Sequence, residues 1–230
     1  MHDRSEDRCC VILPAFNEQN RIGKVVTDVR AHHPDVVVVD DGSSDGTAEE
    51  AEAAGAVVIK HGVNRGKGAA LQTGFTHARE NAFVTVITMD SDGQHDPVDV
   101  PRFIEAYVRT GIPVLIGNRM ADQERMPAVR RLTNRFMSWL LSRKMGQYVP
   151  DSQCGYRLYR CDVLQYTAIQ SRGYAAESEI LMILASRDIR MDAVPIAAIY
   201  GDEESKIHPV RDTIRFFLML RRCEKRLGRR

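Results

Sequence analysis

Two carboxylates separated by one residue, Asp90 and Asp92, follow the apolar stretch 83–89. If that stretch is a strand, both acids lie on a loop at the edge of a sheet. Carboxylate oxygens in such a place suit a hard divalent cation such as Mg²⁺ or Mn²⁺, and the cation can in turn hold a diphosphate. An Asp-x-Asp pair is also common in surface turns, so the prediction of a metal site depends on the elements around it.

The first half of the chain alternates short apolar stretches with helical patterns. This alternation is typical of an α/β fold with a doubly wound, mostly parallel sheet flanked by helices. The predicted strands are 9–13, 36–39, 56–59, 83–89 and 114–116, and the predicted helices are 17–33, 47–54, 67–80 and 99–109. The second half is less regular, and its predicted elements are helices at 129–145, 176–186 and 212–227 and strands at 156–159 and 191–199.

Polar clusters follow all five predicted strands of the first half. They are Asn17-Glu18, Asp40-Asp41, Asn64, Asp90 with Asp92, and Asn118-Arg119. In open α/β sheets, ligands bind outside the carboxyl ends of the strands. Five clusters at the same edge therefore predict a single binding site, with Asp90 and Asp92 as its metal ligands.

The bulk composition narrows the class of protein. Of the 230 residues 43% are hydrophobic, which is enough for a proper core, and the formal net charge of +1 predicts no nucleic-acid partner. The polar start MHDRSEDR is unlike a signal peptide, and no stretch of about 18 apolar residues indicates a membrane span. We therefore expect a cytoplasmic protein whose five cysteines are reduced and mostly in the core.

Two segments are strongly basic. Residues 125–147 carry six basic and no acidic residues, and residues 207–230 carry eight basic residues against two acidic ones. Both segments also contain aromatic and aliphatic side chains, and helices of that composition can lie on an anionic membrane surface. The alternative is that their apolar faces pack on the sheet or on the second subunit of a homodimer, while the basic faces are solvated.

Taken in chain order, these motifs resemble those of the family 2 glycosyltransferases of the GT-A fold. Within that family they are most similar to dolichyl-phosphate mannose synthases and bacterial polyprenyl-phosphate glycosyltransferases. The segments that carry the resemblance are 14–18 (PAFNE), 40–47 (DDGSSDGT), 64–69 (NRGKGA), 89–97 (MDSDGQHDP), 117–119 (GNR), 151–157 (DSQCGYR) and 205–206 (SK). The resemblance implies one GT-A domain over 1–230, with a nucleotide-sugar-binding half at 1–120 and an acceptor half at 121–230.

The same resemblance implies a metal-dependent, inverting transfer of a hexose from a nucleotide-diphosphate sugar of the GDP-mannose or UDP-glucose type. The implied acceptor is a polyprenyl phosphate at the cytosolic face of a membrane. Asp90, Asp92 and Gln94 would bind Mg²⁺ or Mn²⁺. The residues implied in binding the nucleotide sugar are Pro14, Ala15, Phe16, Glu18, Asp40, Asp41, Asn64, Lys67, Asp90, Ser91, Asp92, Arg119 and Lys206.

Asp151 lies where many inverting members of the family place a base, and the resemblance groups it with Asp92 and Arg119 as the catalytic residues. A hydroxyl acceptor needs such a base, whereas a polyprenyl phosphate is ionised at neutral pH and can attack without one. In the second case Asp151 would orient or bind. Two alternative functions stay open: transfer to a soluble or saccharide hydroxyl, and a non-catalytic nucleotide-sugar-binding module.

Four further side chains have an ordinary structural interpretation. Glu177 and Glu179 are either acceptor-side groups or only part of the first turn of a helix, where acids are favoured, and we favour the helix. Glu18 has the same second interpretation. His95 is a lone histidine beside a loop, so we expect it to be hydrogen-bonded or solvated rather than bound to a metal.

Overall fold

Seven strands and seven α-helices alternate along the part of the chain that the computed structural model describes, which is residues 8–121, 128–171, 173, 175–197 and 209–228. The strands are β1 (Cys9–Ala15), β2 (Val36–Asp40), β3 (Val57–Lys60), β4 (Thr85–Thr88), β5 (Val114–Asn118), β6 (Arg157–Arg160) and β7 (Met191–Pro195). The helices are α1 (Ile22–Arg30), α2 (Thr47–Ala53), α3 (Lys67–Glu80), α4 (Val100–Thr110), α5 (Ala128–Met145), α6 (Ala175–Ala185) and α7 (Pro209–Leu227).

The strands form one sheet in the order β3-β2-β1-β4-β6-β5-β7. All neighbours are parallel except that β6 runs antiparallel to both β4 and β5. The predicted α/β class with a mostly parallel sheet flanked by helices is therefore confirmed. Because β1, β2, β4 and β5 run in the same direction, their carboxyl ends lie at one edge and bring the polar clusters together.

Both faces of the sheet are covered, since β1 and β2 are buried along their whole length. Cys10 and Ile12 of β1 belong to a cluster with apolar side chains of α3, α5, α6 and α7. Val11 and Leu13 belong to a cluster on the other face, with α1, α2 and α4. Burial on both faces explains why these strands are continuous apolar runs rather than alternating ones.

The first helix begins later than the sequence predicts. It starts at Ile22 instead of residue 17, because Asn17 and Asn20 adopt left-handed conformations with φ of 53° and 74°. Asparagine tolerates this conformation better than most residues, but it cannot continue a right-handed helix. Residues 16–21 therefore form a loop at the binding edge.

The basic helices α5 and α7 bury one face and expose a second apolar stripe. In α5 the buried side chains include Met137 and Leu141, and in α7 they include Met219. The exposed apolar side chains are Val129, Leu132, Phe136 and Trp139 of α5 and Ile214, Phe217 and Leu218 of α7. An ion pair between Lys144 and Glu224 joins the two helices.

No helix in the described ranges has both the length and the apolar character needed to cross a bilayer. All five cysteines fall within those ranges, and each is a buried free thiol, as the sequence predicts.

Candidate active site

The acidic loop after β4 is anchored to two neighbouring segments. The hydroxyl of Ser91 donates to the carbonyl of Pro14 at 2.9 Å, which ties the loop to the end of β1. The hydroxyl of Thr88 donates to the carbonyl of Gly155 at 2.8 Å. Gly155 leaves room for this carboxylate, because a Cβ there would lie 2.7 Å from Oδ1 of Asp90 and would push the side chain of Asp90 aside. The backbone thus holds Asp90 in a narrow space between β1 and the segment before β6.

Asp90 is paired with the ammonium of Lys67, and Lys67 also contacts Glu177 of α6. Burial alone would raise the pKa of Asp90, but Lys67 and the nearby His95 hold it well below its ordinary value. Burial alone would lower the pKa of Lys67, but the two carboxylates raise it above its ordinary value. Asp90 is therefore an ionised carboxylate at neutral pH, as a metal ligand must be.

Asp92 and Gln94 lie on the outer part of the same loop. The backbone N–H of Gln94 donates to Oδ1 of Asp92 at 3.0 Å, and both side chains are half-buried. The described residues contain no group of three or more His, Cys, Asp or Glu side chains that could hold a metal ion by themselves. Mg²⁺ is commonly bound by one or two carboxylates together with substrate phosphates, so a two-carboxylate site with an added amide oxygen fits such an ion.

His95 is a site residue whose position the sequence does not predict. It is buried and stacked on Tyr156, with ring centroids 5.1 Å apart, and its Nδ1 accepts from the backbone N–H of Asp90 at 3.3 Å. Burial lowers the pKa of His95 to about 4, so the ring is neutral and supports the backbone of Asp90. It is hydrogen-bonded, as expected, but nothing in its sequence context shows that it packs beneath the acidic loop.

The end of β1 and the end of β2 form the opposite side of the site. Phe16 is 43% exposed at the edge of the sheet, whereas Glu18 and Asp40 are buried. Oδ1 of Asp40 accepts from the backbone N–H of Ser43 at 3.1 Å, which links the carboxylate to the turn after β2. Pro14 and Ala15 form the end of β1 beside Phe16.

Asp41 organises the loop that precedes α3. Its carboxylate accepts from the backbone N–H groups of Arg65 at 3.0 Å and Gly66 at 2.6 Å, and it contacts Nδ1 of His61 at 2.7 Å. These contacts place Lys67 at the first position of α3, and they leave Asn64 exposed on the loop. Contact of Asp41 and Asn64 with a nucleotide stays a prediction.

Arg119 and Asp151 form a buried pair next to β5. Nε of Arg119 donates to Oδ2 of Asp151 at 2.7 Å, and Nη2 donates to Oδ1 at 3.0 Å. Nδ2 of Asn134 in α5 donates to the same Oδ1 at 2.8 Å. Burial alone would raise the pKa of Asp151, but Arg119 and Asn134 lower it below its ordinary value. A carboxylate whose pKa is lowered and which accepts from several donors is a weak proton acceptor.

Glu177 is a second residue of the candidate site, although the favoured sequence-based interpretation assigned it only a place in the first turn of a helix. It lies in the first turn of α6, as predicted, but its carboxylate reaches Lys67. The buried guanidinium of Arg157 fixes this turn, since it donates to the carbonyls of Glu177 at 2.7 Å, Ser152 at 2.8 Å and Cys154 at 2.6 Å. The available signal was the apolar helix AAESEILMILA, because an acid buried in such a helix needs a cationic or hydrogen-bonding partner.

Glu179, the other acid of this turn, has a structural role. It accepts from the backbone N–H groups of Gln170 at 3.0 Å and Ser171 at 2.7 Å, and it pairs with Arg226 at 3.1 Å. Lys206, which was predicted to contact phosphate, lies outside the described residues.

Comparison with known proteins identifies the family. Residues 10–167 match Glycosyl transferase family 2. This chain belongs to glycosyl transferase family 2. The predicted family is thereby confirmed, and the chain is a glycosyltransferase.

Two family 2 relatives are similar over most of their length. The chain is 31% identical over 215 residues to the UDP-N-acetylglucosamine–dolichyl-phosphate N-acetylglucosaminyltransferase of Methanococcus voltae. That match covers 84% of this chain and 86% of the relative. It is 33% identical over 202 residues to the undecaprenyl-phosphate mannosyltransferase of Micrococcus luteus, which covers 82% of each chain.

The fold is similar to that of glucosyl-3-phosphoglycerate synthase from Mycobacterium tuberculosis, solved in complex with Mn²⁺, uridine diphosphate and glucosyl-3-phosphoglycerate. The TM-score is 0.75 at 21% identity, and the match covers 98% of this chain and 81% of that chain. At this identity the likeness concerns the fold alone, and it confirms the predicted GT-A fold.

Proposed function

We infer that this family 2 glycosyltransferase transfers a hexose from a nucleotide-diphosphate sugar to a polyprenyl phosphate, with inversion at the anomeric carbon and with Mg²⁺ or Mn²⁺. The observation that carries the proposal is the pairing of Asp151 with Arg119 and Asn134. An acceptor that needs no base matches a site whose candidate base is already occupied. The names of the two relatives, each of which acts on a polyprenyl phosphate, support the same class of acceptor.

The nucleotide sugar binds along the carboxyl ends of β1, β2 and β4. The exposed ring of Phe16 offers a face for stacking on the base. The carboxylates of Glu18 and Asp40 accept hydrogen bonds from the base or the ribose. Ser91, Pro14 and Ala15 shape the floor, and Lys67 and Asn64 are placed by the loop that Asp41 organises.

Asp90, Asp92 and Gln94 would hold Mg²⁺ or Mn²⁺. The bound ion would neutralise negative charge on the leaving nucleoside diphosphate. Their oxygens match the ligand preference of both ions. The uridine-diphosphate complex of the M. tuberculosis enzyme contains Mn²⁺, which is in keeping with this choice.

The acceptor phosphate approaches from the side of Arg119. An oxygen of the ionised phosphate attacks the anomeric carbon while the bond from that carbon to the diphosphate oxygen breaks, and no proton has to be removed. Asp151 holds the guanidinium in place, because two parallel hydrogen bonds fix the plane of an arginine. Lys206 is proposed as a second phosphate contact.

The exposed stripes of α5 and α7 suit the surface of an anionic membrane, where a polyprenyl phosphate is embedded. Phe136 and Trp139 are 48% and 57% exposed, and Ile214 and Leu218 are each 54% exposed. Exposed basic side chains lie beside them on both helices: Arg135, Arg143, Arg221, Arg222 and Lys225. Aromatic and basic side chains together are typical of interfacial helices, so we propose peripheral binding at the cytosolic face.

The proposal is tested in two stages. A thermal-shift panel of UDP, GDP and their sugars, each with and without Mn²⁺, identifies the preferred base, because a ligand raises the apparent stability by mass action. The chosen radiolabelled sugar is then offered to polyprenyl phosphate in vesicles and to soluble saccharides. Label in the lipid fraction only supports the proposal. Label in the saccharide favours the hydroxyl acceptor, and metal-dependent nucleotide binding without transfer or hydrolysis favours the non-catalytic module.

A further inference from the structure

Lys67 occupies an unusual position for a cation. It is the first residue of α3, where the helix dipole disfavours positive charge, and its side chain is four-fifths buried. Two carboxylates from distant parts of the chain offset this cost, Asp90 after β4 and Glu177 at the start of α6. One of these carboxylates is assigned to the metal site and the other is not.

The ammonium of Lys67 and a divalent cation would compete for the same carboxylate. Lys67 contacts Oδ1 of Asp90, and the space around that oxygen is limited because Gly155 lies against it. A cation bound at Asp90 therefore weakens or breaks the contact with Lys67.

The carboxylate of Glu177 can bind the ammonium of Lys67 when the contact with Asp90 is broken. Its Oε1 already contacts Lys67, and its Oε2 is buried with no hydrogen-bond donor among the described residues. An ammonium has three donors, so a displaced Lys67 can satisfy this oxygen. The first turn of α6 is held by Arg157, and its helix dipole stabilises the carboxylate of Glu177.

We propose that Lys67 is a resident counter-cation of Asp90, and that it withdraws to Glu177 when a divalent cation binds. Glu177 is then a positioning residue, which acts through Lys67 and does not touch the metal. The inference rests on the metal site of the proposed function. It predicts that the site resists divalent cations when no donor is bound, and that the resistance comes from Lys67 rather than from a lack of negative charge.

A set of four proteins separates competition from net charge. Asp90, Asp92, Glu177 and Lys67 carry a combined charge of −2, and the double variant Lys67→Met/Glu177→Gln keeps that sum while it removes the ammonium. Mn²⁺ binding without nucleotide is measured by electron paramagnetic resonance for wild type, both single variants and the double variant. Circular dichroism and urea unfolding verify that each protein is folded.

The double variant is expected to bind Mn²⁺ about tenfold more tightly than wild type, because no charge-assisted hydrogen bond to Asp90 has to be broken. Glu177→Gln alone is expected to bind about tenfold more weakly, because Lys67 loses its second carboxylate. The matched control is Lys60→Met/Glu49→Gln, which removes an exposed lysine–glutamate pair 3.2 Å apart and should leave the dissociation constant unchanged.

Two outcomes would overturn the inference and would point to different errors. Equal Mn²⁺ affinity of wild type and the folded double variant means that charge alone governs binding, and the metal site of the proposed function stands. No Mn²⁺ binding by the folded double variant means that Asp90 and Asp92 do not form a metal site, and the proposed function loses its metal as well.

Discussion

The guanidinium of Arg119 donates two hydrogen bonds, of 2.7 and 3.0 Å, to the carboxylate of Asp151, and Asp151 is completely buried. The backbone N–H of Arg119 donates to the same carboxylate at 3.3 Å. Such a pair fixes the position of a cation beside the end of β5. It also makes each partner dependent on the other for its stability.

Asp151→Asn should lower the free energy of unfolding by about 3–5 kcal/mol, because it leaves the buried guanidinium of Arg119 without its counter-charge. Arg119→Met should lower the free energy of unfolding by a similar amount, because it leaves the buried carboxylate of Asp151 without its counter-charge. The double variant Arg119→Met/Asp151→Asn should cost clearly less than the sum of the two, since neither charge is left unpaired. Urea unfolding of the four proteins measures the coupling, and strictly additive effects would contradict the pairing.

Gly155→Ala should disable the metal site without unfolding the protein. The added Cβ would lie 2.7 Å from Oδ1 of Asp90 and would push the carboxylate aside. We expect the stabilisation by Mn²⁺ plus nucleotide to be largely lost in a thermal-shift assay. Gly62→Ala is the matched control, because no atom lies within 4 Å of its added Cβ. An unchanged nucleotide response of Gly155→Ala would show that Asp90 is not needed there.

Asp92→Asn should reduce kcat/KM for sugar transfer by about 100-fold or more, because one anionic ligand of the proposed metal site is lost. Asp92 is half-buried on a loop, so the free energy of unfolding should change by no more than about 0.5 kcal/mol. Initial rates at several donor concentrations measure the effect, and Asp28→Asn serves as the control, because the side chain of Asp28 on α1 is 44% exposed. Full activity of Asp92→Asn would remove this residue from the site.

His95 should make the protein less stable in weak acid. Its folded pKa is about 4 and its ordinary value is 6.5, so between these values the unfolded chain binds a proton that the folded chain does not. Stability therefore falls as the pH is lowered from about 6.5 to about 4, by roughly 3 kcal/mol in all. Urea unfolding at pH 7.5 and 4.5 should show this loss, and it should be smaller in His95→Gln. An equal loss in both proteins would assign it to other groups.

Phe136→Ser/Trp139→Ser should weaken binding to anionic lipid vesicles by at least about tenfold, because each exposed ring contributes on the order of 1–2 kcal/mol when it is buried. Co-sedimentation with vesicles measures the effect. Val98→Ser/Val108→Ser removes two apolar side chains that are 51% and 64% exposed elsewhere, and it should leave binding unchanged. If the first variant instead changes the mass measured by light scattering, the stripe is a homodimer interface.

Local patterns in the sequence predict most of the elements closely. The predicted helix 67–80 coincides with α3, and the predicted strand 36–39 differs from β2 by one residue. These elements are set by their own apolar periodicity. The predicted start of α1 was wrong, because contacts with another loop hold Asn17. The N–H of Asn17 donates to Ser43 Oγ at 2.9 Å, and its side chain accepts from the N–H of Ser44 at 3.0 Å.

The residues of the candidate site also differ in how well local sequence patterns predict them. Asp90 is recognisable because it follows an apolar strand within a local motif. The partnership of Lys67 with Glu177 depends on how α6 packs beside α3, and residues so far apart leave no local pattern. The pairing of Arg119 with Asp151 is equally remote in sequence. Local patterns therefore predict the loop of Asp90 better than the pairs that join distant parts of the chain.

The antiparallel strand β6 has a consequence for how the protein is made. Among the described strands, β5 pairs only with β6 and β7, and β6 is what joins β5 to β4. The strand that carries Arg119 at its end thus has no neighbour until residues beyond 150 have left the ribosome. The strands β1, β2, β3 and β4 can pair early in synthesis. The complete sheet cannot form before most of the chain has been translated. The edge that carries the candidate site is therefore completed only by residues from the second half of the chain.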